Sequence, residues 1–93
     1  MQIIWEAEKN LKLIAERGLS LETFASMILE KKYLAILKNP SRVEQKIFII
    51  PYLGYTHVVP FVIDKDKNII LKTAFPSRKY HKKYGCRTKG RKK

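Results

Sequence analysis

Apolar positions follow two periods along the chain, one helical and one of strands. From 7 to 17, Ala7, Leu11, Ile14 and Ala15 recur at i, i+4, i+7 and i+8, the stripe of an amphipathic helix. Gly18 follows where helices commonly turn left-handed, and Arg17 in the last turn suits the helix dipole. Ser20 is an N-cap for a second helix, with Leu19 and Phe24 spaced as a hydrophobic staple and Glu22 in the first turn. Leu21, Phe24, Ala25, Ile28 and Leu29 form its apolar face, and Lys31-Lys32 close it. So short a connection predicts an αα-hairpin.

Beyond Lys32 the period changes. Tyr33–Lys38 reads as a short strand ended by Asn39-Pro40-Ser41, and Ile3-Ile4-Trp5 as another near the N-terminus. Lys46–Tyr52, Tyr55–Ile63 and Ile69–Phe75 are rich in β-branched and aromatic residues. Leu53-Gly54 and the polar run Asp64–Asn68 separate them, which predicts an antiparallel meander. Helices that precede such a sheet most naturally cover one of its faces, so the fold class is α+β. Pro51 and Pro60 each lack a ladder donor and require an edge or a bulge. If Asp64 pairs with Asn68, Lys72 faces Pro60 and shares its side with Thr56, Val58 and Val62. His57 then lies on the opposite side with Phe61 and Ile63, and only a bulge at Pro60 would change that parity.

Composition narrows the function classes. The 93 residues amount to one small domain with a real core, 45% being apolar. No apolar run approaches the roughly 18–20 residues of a membrane span, and the N-terminus does not read as a secretory signal. One Cys, Cys86, forbids an intrachain disulfide, and with His57 and His81 it cannot complete a structural zinc site. The chain is expected to be soluble and cytoplasmic. Twenty Lys and Arg against eight Asp and Glu give a net charge of +12, which calls for a polyanionic partner.

That charge is uneven. Ser77 onward holds nine basic residues and no acid. Tyr80 and Tyr84, at i, i+4, fit one helical face. Residues 1–84 form the domain, ending in a short helix or basic segment, and 85–93 read as a disordered basic tail or an idle solvated terminus.

The catalytic inventory is sparse: there is no Gly-rich phosphate loop and no acidic pair with metal spacing. Abundant near the end of the last strand are Lys72, Arg78, Lys79 and Tyr80. Such cations suit a phosphodiester and the extra charge of its pentavalent transition state, and a Tyr ring can stack on an unpaired base. RNA carries its own nucleophile in the 2′-hydroxyl, so cleavage needs alignment, a base and charge stabilisation. Passive binding would use the same residue types. His57 reads as a packed rather than a catalytic histidine, His81 as a solvated one, and Trp5 as core.

Four segments, taken in order, resemble the BrnT-type toxins of the RelE/ParE-like superfamily. They are Trp5-Glu6-Ala7-Glu8-Lys9, then Arg17-Gly18-Leu19-Ser20-Leu21-Glu22-Thr23-Phe24-Ala25, then Lys46-Ile47-Phe48-Ile49-Ile50, and Leu71-Lys72-Thr73-Ala74-Phe75-Pro76-Ser77-Arg78-Lys79. The resemblance implies a RelE-like α+β domain with two N-terminal helices packed on a small antiparallel β-sheet. It also implies the toxin half of a type II toxin–antitoxin module, an endoribonuclease that arrests translation without metal or other cofactor. Lys72 matches a strand Arg of the family, and Arg78 and Lys79 match its closing basic pair. Lys72, Arg78 and Lys79 are thus the expected catalytic residues, with Tyr80, Lys82, Lys83 and Lys46 as RNA contacts. Expected partners are RNA and a cognate antitoxin, a heterotetramer being one assembly, and no membrane. The chain departs from the pattern at Arg17, where many relatives carry His, at Lys72 for Arg, and at Pro76-Ser77 for Ser-Ala. Lys keeps the charge of Arg but loses its bidentate geometry. The alternatives are a basic nucleic-acid-binding module without catalysis, and a degenerate toxin that only binds its antitoxin.

Overall fold

The computed structural model describes residues 2–85. Cys86 and the basic residues after it, and with them most of the expected 85–93 tail, lie outside the described residues. The elements are β1 (Ile3–Ile4), α1 (Ala7–Arg17), α2 (Leu21–Leu29), β2 (Ala35–Lys38), β3 (Lys46–Tyr52), β4 (Tyr55–Ile63), β5 (Ile69–Leu71), β6 (Phe75–Pro76) and α3 (Arg78–Tyr80), followed by a π-helical turn at His81–Gly85. The protein is α+β, with strand order β1-β5-β4-β3-β2 and β6 paired to β4. The β2-to-β5 pairs are antiparallel, as the meander predicts, but β1 adds a parallel pair to β5, so the sheet is mixed. Among the described residues no helix is long and apolar enough to cross a membrane.

Local chemistry sets the boundaries. Gly18 ends α1 at φ 68° and donates its N–H to the Ile14 carbonyl at 3.0 Å. The Ser20 hydroxyl caps α2 by accepting from Glu22 N–H at 3.2 Å. α2 ends at Leu29, before the lysines expected to close it, and Lys31 turns left-handed at φ 58°. Leu53 and Gly54 both have positive φ, 53° and 77°, the two-residue hairpin turn whose twist suits paired strands. Asp64 Oδ1 accepts from the N–H groups of Asp66 (2.8 Å) and Asn68 (2.9 Å), closing the β4–β5 loop. Chiefly these backbone hydrogen bonds hold its carboxyl below the ordinary value.

The sheet buries both faces. One face carries Phe48, Ile50, Val59, Phe61 and Leu71 against Leu21, Phe24 and Ile28 of α2. The other gathers Ile47, Ile49 and Val58, covered by Phe75, Tyr80 and Tyr84. His57 belongs to the first face, as the register predicts. It is 6% exposed, with the rings of Phe24 and Tyr52 each 5.6 Å away. Its Nδ1–H donates to the Tyr55 carbonyl at 3.1 Å, and burial holds its pKa below the ordinary value.

α1 departs from the expected amphipathic arrangement. Of the predicted stripe, Leu11 is 67% and Ile14 44% exposed, and Leu13 is the residue α1 buries. The helix is rolled so that Lys9, Lys12, Leu13, Glu16 and Arg17 face the margin of the sheet.

The two prolines resolve differently. Pro51 pairs with Thr56, whose N–H and carbonyl both turn away from β3, toward His81 and Ser77. Pro51 therefore occupies a position with no ladder donor to lose. Pro60 sits at a bulge. Phe61 pairs with Leu71 and Val58 with Phe75, so the two residues between on β4 oppose the three residues 72–74. The expected continuous strand Ile69–Phe75 is thus broken in two. Lys72 N–H still donates to the Pro60 carbonyl at 2.9 Å, so the extra residue follows Lys72.

Candidate functional site

The bulge lies between two clefts, one beside α1 and one on the opposite face of the sheet. The first encloses about 410 Å³ and is lined by Lys9, Lys12, Leu13, Glu16, Arg17, Arg42, Lys72 and Thr73. Five cations there face one carboxylate. Among the described residues the only ion pair is Lys32–Glu30, at 3.2 Å, so none of the five is neutralised at short range. Like charges held this close raise the local potential and favour an anion bearing several charges.

The second cleft, about 390 Å³, has a largely apolar floor that includes Ile47, Val58 and Phe75, with Asn39, Ser41, Lys79 and Tyr80 around it. Arg42 and Thr73 line both clefts, so together they form a trough with a saddle at those two residues.

Arg42 is set by the loop between β2 and β3. Asn39 Oδ1 accepts from Ser41 N–H at 2.9 Å, and Pro40 follows Asn39 at the position its fixed φ favours. Arg42 N–H donates to the Asn39 carbonyl (3.3 Å), Gln45 N–H to the Arg42 carbonyl (3.0 Å), and Asn39 N–H to the Gln45 carbonyl (3.1 Å). Two turns thus bracket Arg42 and project it beside the bulge. A turn at Asn39-Pro40-Ser41 is readable in the chain, but which strand the next residue would face is not.

The C-terminal segment is strapped to the end of β4. Ser77 N–H donates to the Thr56 carbonyl at 3.0 Å, and the Ser77 hydroxyl caps α3 by accepting from Tyr80 N–H at 3.3 Å. Thr56, 1% exposed, donates its N–H to His81 Nδ1 at 3.3 Å, with its hydroxyl 3.1 Å from the same nitrogen. A nitrogen that accepts from a backbone N–H carries no proton, so His81 presents Nε2–H elsewhere. Its ring stacks on Tyr55 at 4.1 Å and 21°. His81 is therefore an anchor, not the solvated side chain expected of it. The anchor places Tyr80 and Tyr84 over the second face, their ring centres 6.4 Å apart.

The expected site residues are distributed over this surface. Lys72 lines the first cleft, and Lys79 and Tyr80 line the second. The Lys79 ammonium lies 5.2 Å from the Tyr80 ring centre. Arg78 is exposed on α3 and lines neither cleft. Lys82 and Lys83 are exposed on the π-helical turn, Lys83 lying 5.9 Å from the Tyr84 ring centre. Lys46 lines a separate recess with Glu44 and Phe61. Lys9, Lys12, Glu16, Arg17 and Arg42 were not anticipated as a group, because α1's apolar stripe suggested the opposite face would be inward. Among the described residues no three His, Cys, Asp or Glu side chains converge.

No protein-family model matches the chain, and no curated protein does. The crystal structure of the Brucella abortus ribonuclease toxin BrnT matches it with a TM-score of 0.62 at 19% identity, covering 83% of this chain and 96% of that one. The chain therefore has the BrnT-type toxin fold.

Proposed function

We propose that the chain is the toxin of a type II toxin–antitoxin module and cleaves RNA in the cytoplasm, with the substrate's 2′-hydroxyl as nucleophile. The cationic cleft carries this reading: a small domain with the fold of a ribonuclease toxin sets five unneutralised cations around one carboxylate. An RNA phosphate in the cleft meets Arg42 and Lys72. Arg42 offers paired N–H donors to the phosphoryl oxygens as the fifth bond forms. Glu16, the one carboxylate lining that cleft, takes the 2′-hydroxyl proton. The 2′-oxygen bonds to phosphorus, the P–O5′ bond breaks, and Lys72 protonates the departing 5′-oxygen. The products are a 2′,3′-cyclic phosphate and a 5′-hydroxyl. No step requires a metal. Lys79 contacts a neighbouring phosphate, Tyr80 stacks on a base, and Arg78, Lys82, Lys83 and Lys46 add outer charge. The reading calls for an antitoxin whose acidic or apolar segments cover the basic face.

The test is cleavage of a defined RNA by purified wild type and Glu16→Gln in EDTA, beside growth after induction. Wild type should yield cyclic-phosphate ends and stop growth, and Glu16→Gln should lose at least about 10²-fold in rate. Intact RNA together with normal growth would overturn the reading and leave a module that only binds.

A further inference from the structure

The cations account for the first cleft but not for the second, whose floor suits no phosphate. We infer that the second cleft is a pocket for one unpaired nucleobase, so that the substrate is single-stranded RNA. The inference rests on the RNA reading of the trough, because the occupant is identified by what must lie next to a bound phosphate. A nucleobase is flat and apolar on its faces and polar at its edge, and the cleft has the complementary form. Ile47, Val58 and Phe75 give an apolar floor, and the half-buried Tyr80 ring supplies an aromatic surface that can take the face of a base.

Asn39 supplies a reader for the edge. Its Oδ1 already accepts from Ser41 N–H at 2.9 Å, and its Nδ2 donates to Gln45 Oε1 at 3.2 Å. These bonds fix the amide plane and leave one N–H and one lone pair. A free donor beside a free acceptor complements the adjacent acceptor and donor of a base edge. A paired base cannot enter, since its edge is engaged and its faces are stacked, and the deep groove of an A-form duplex does not admit the rim of the pocket.

The test uses a non-cleavable 2′-O-methyl oligonucleotide with a single 2-aminopurine, whose fluorescence falls on stacking. Full-length protein should quench it in the single strand and not in the matching duplex. Tyr80→Leu, which keeps apolar bulk but removes the ring, should bind about ten-fold more weakly, and Tyr80→Phe should behave as wild type. An abasic residue in place of the probe base should weaken wild-type binding by a similar factor, without reliance on any variant. Equal affinity for the abasic strand, or equal binding of duplex and single strand, would overturn the inference. Quenching that appears only after truncation at Gly85 would assign the cleft to the chain's own C-terminal segment and overturn it too. Because the probe cannot be cut, quenching with intact ordinary RNA would sink the ribonuclease reading while leaving the base pocket standing.

Discussion

Arg42 and Arg78 make opposite predictions from similar chemistry. Arg42 stands at the saddle of the trough, and Arg78 lies outside it on an exposed helix. The hydrogen bonds that shape the Arg42 loop come from its backbone and from Asn39, so Arg42→Ala removes the guanidinium and leaves the loop. Loss of one donor aimed at the developing charge costs roughly 10²–10³-fold in kcat, about 2.7–4 kcal/mol. Binding should suffer less, since Lys9, Lys12, Arg17 and Lys72 remain in the cleft. At roughly 0.7 per phosphate contact on a single strand, the log–log salt slope of the variant should fall by no more than about 0.7. Arg78→Ala removes at most one outer contact. Its slope should drop by no more than about 0.7, and its kcat should stay within about three-fold of wild type. The assay pairs single-turnover cleavage at saturating protein with salt-dependent binding of a non-cleavable analogue. A dead Arg78→Ala beside an active Arg42→Ala would refute the placement of chemistry at the saddle.

Three further predictions concern the scaffold. Burial holds the His57 pKa below 6.5, so between the two values the unfolded chain binds more protons. Stability should be full above pH 6.5 and fall as the pH drops, until folded His57 also protonates; an equal loss in His57→Leu, read from urea midpoints at pH 8 and 5.5, would assign the effect elsewhere. His81→Ala deprives the buried Thr56 of its partner and Tyr55 of its stack, and should cost about 2 kcal/mol in urea unfolding. Leu53 is 84% exposed at φ 53°, so Leu53→Asn should raise stability by about 1 kcal/mol, and no rise in thermal midpoint would count against the strained turn.

Elements defined by local chemistry were legible in the chain. Gly18 and Ser20 mark the break between the helices, Leu53-Gly54 the tight hairpin, and Asp64–Asn68 the next loop, because each acts through neighbouring backbone groups. The pairing of Asp64 with Asn68 also placed His57 on the side of Phe61, the side that the structure shows packed against α2. The roll of α1 was not legible. Leu11 and Ile14 match the helical period, yet a helix with a single buried side chain is oriented by its neighbours rather than by its own stripe. Nor could the chain show that Arg42 joins residues thirty positions away, or that His81 meets Thr56, since both depend on how the ends of strands meet. Pro60 did signal an interruption, but its partner residues 72–74 became visible only in the paired sheet.

The bulge has a consequence for the shape of whatever crosses it. A polymer reaching from the cationic cleft to the apolar one must pass over the rim of the sheet and so must bend there. In a regular A-form strand the 2′-oxygen is not aligned behind the bond to the 5′-oxygen, and a sharp bend with one base turned out is how a backbone reaches in-line alignment. The extra residue in the interrupted strand would thus select, among the conformers of a flexible strand, those already part-way along the reaction path. Removing Thr73 would restore the alternation of the strand and flatten that path. On this view a single inserted residue sets the conformation that the surface accepts, as the charges set its affinity.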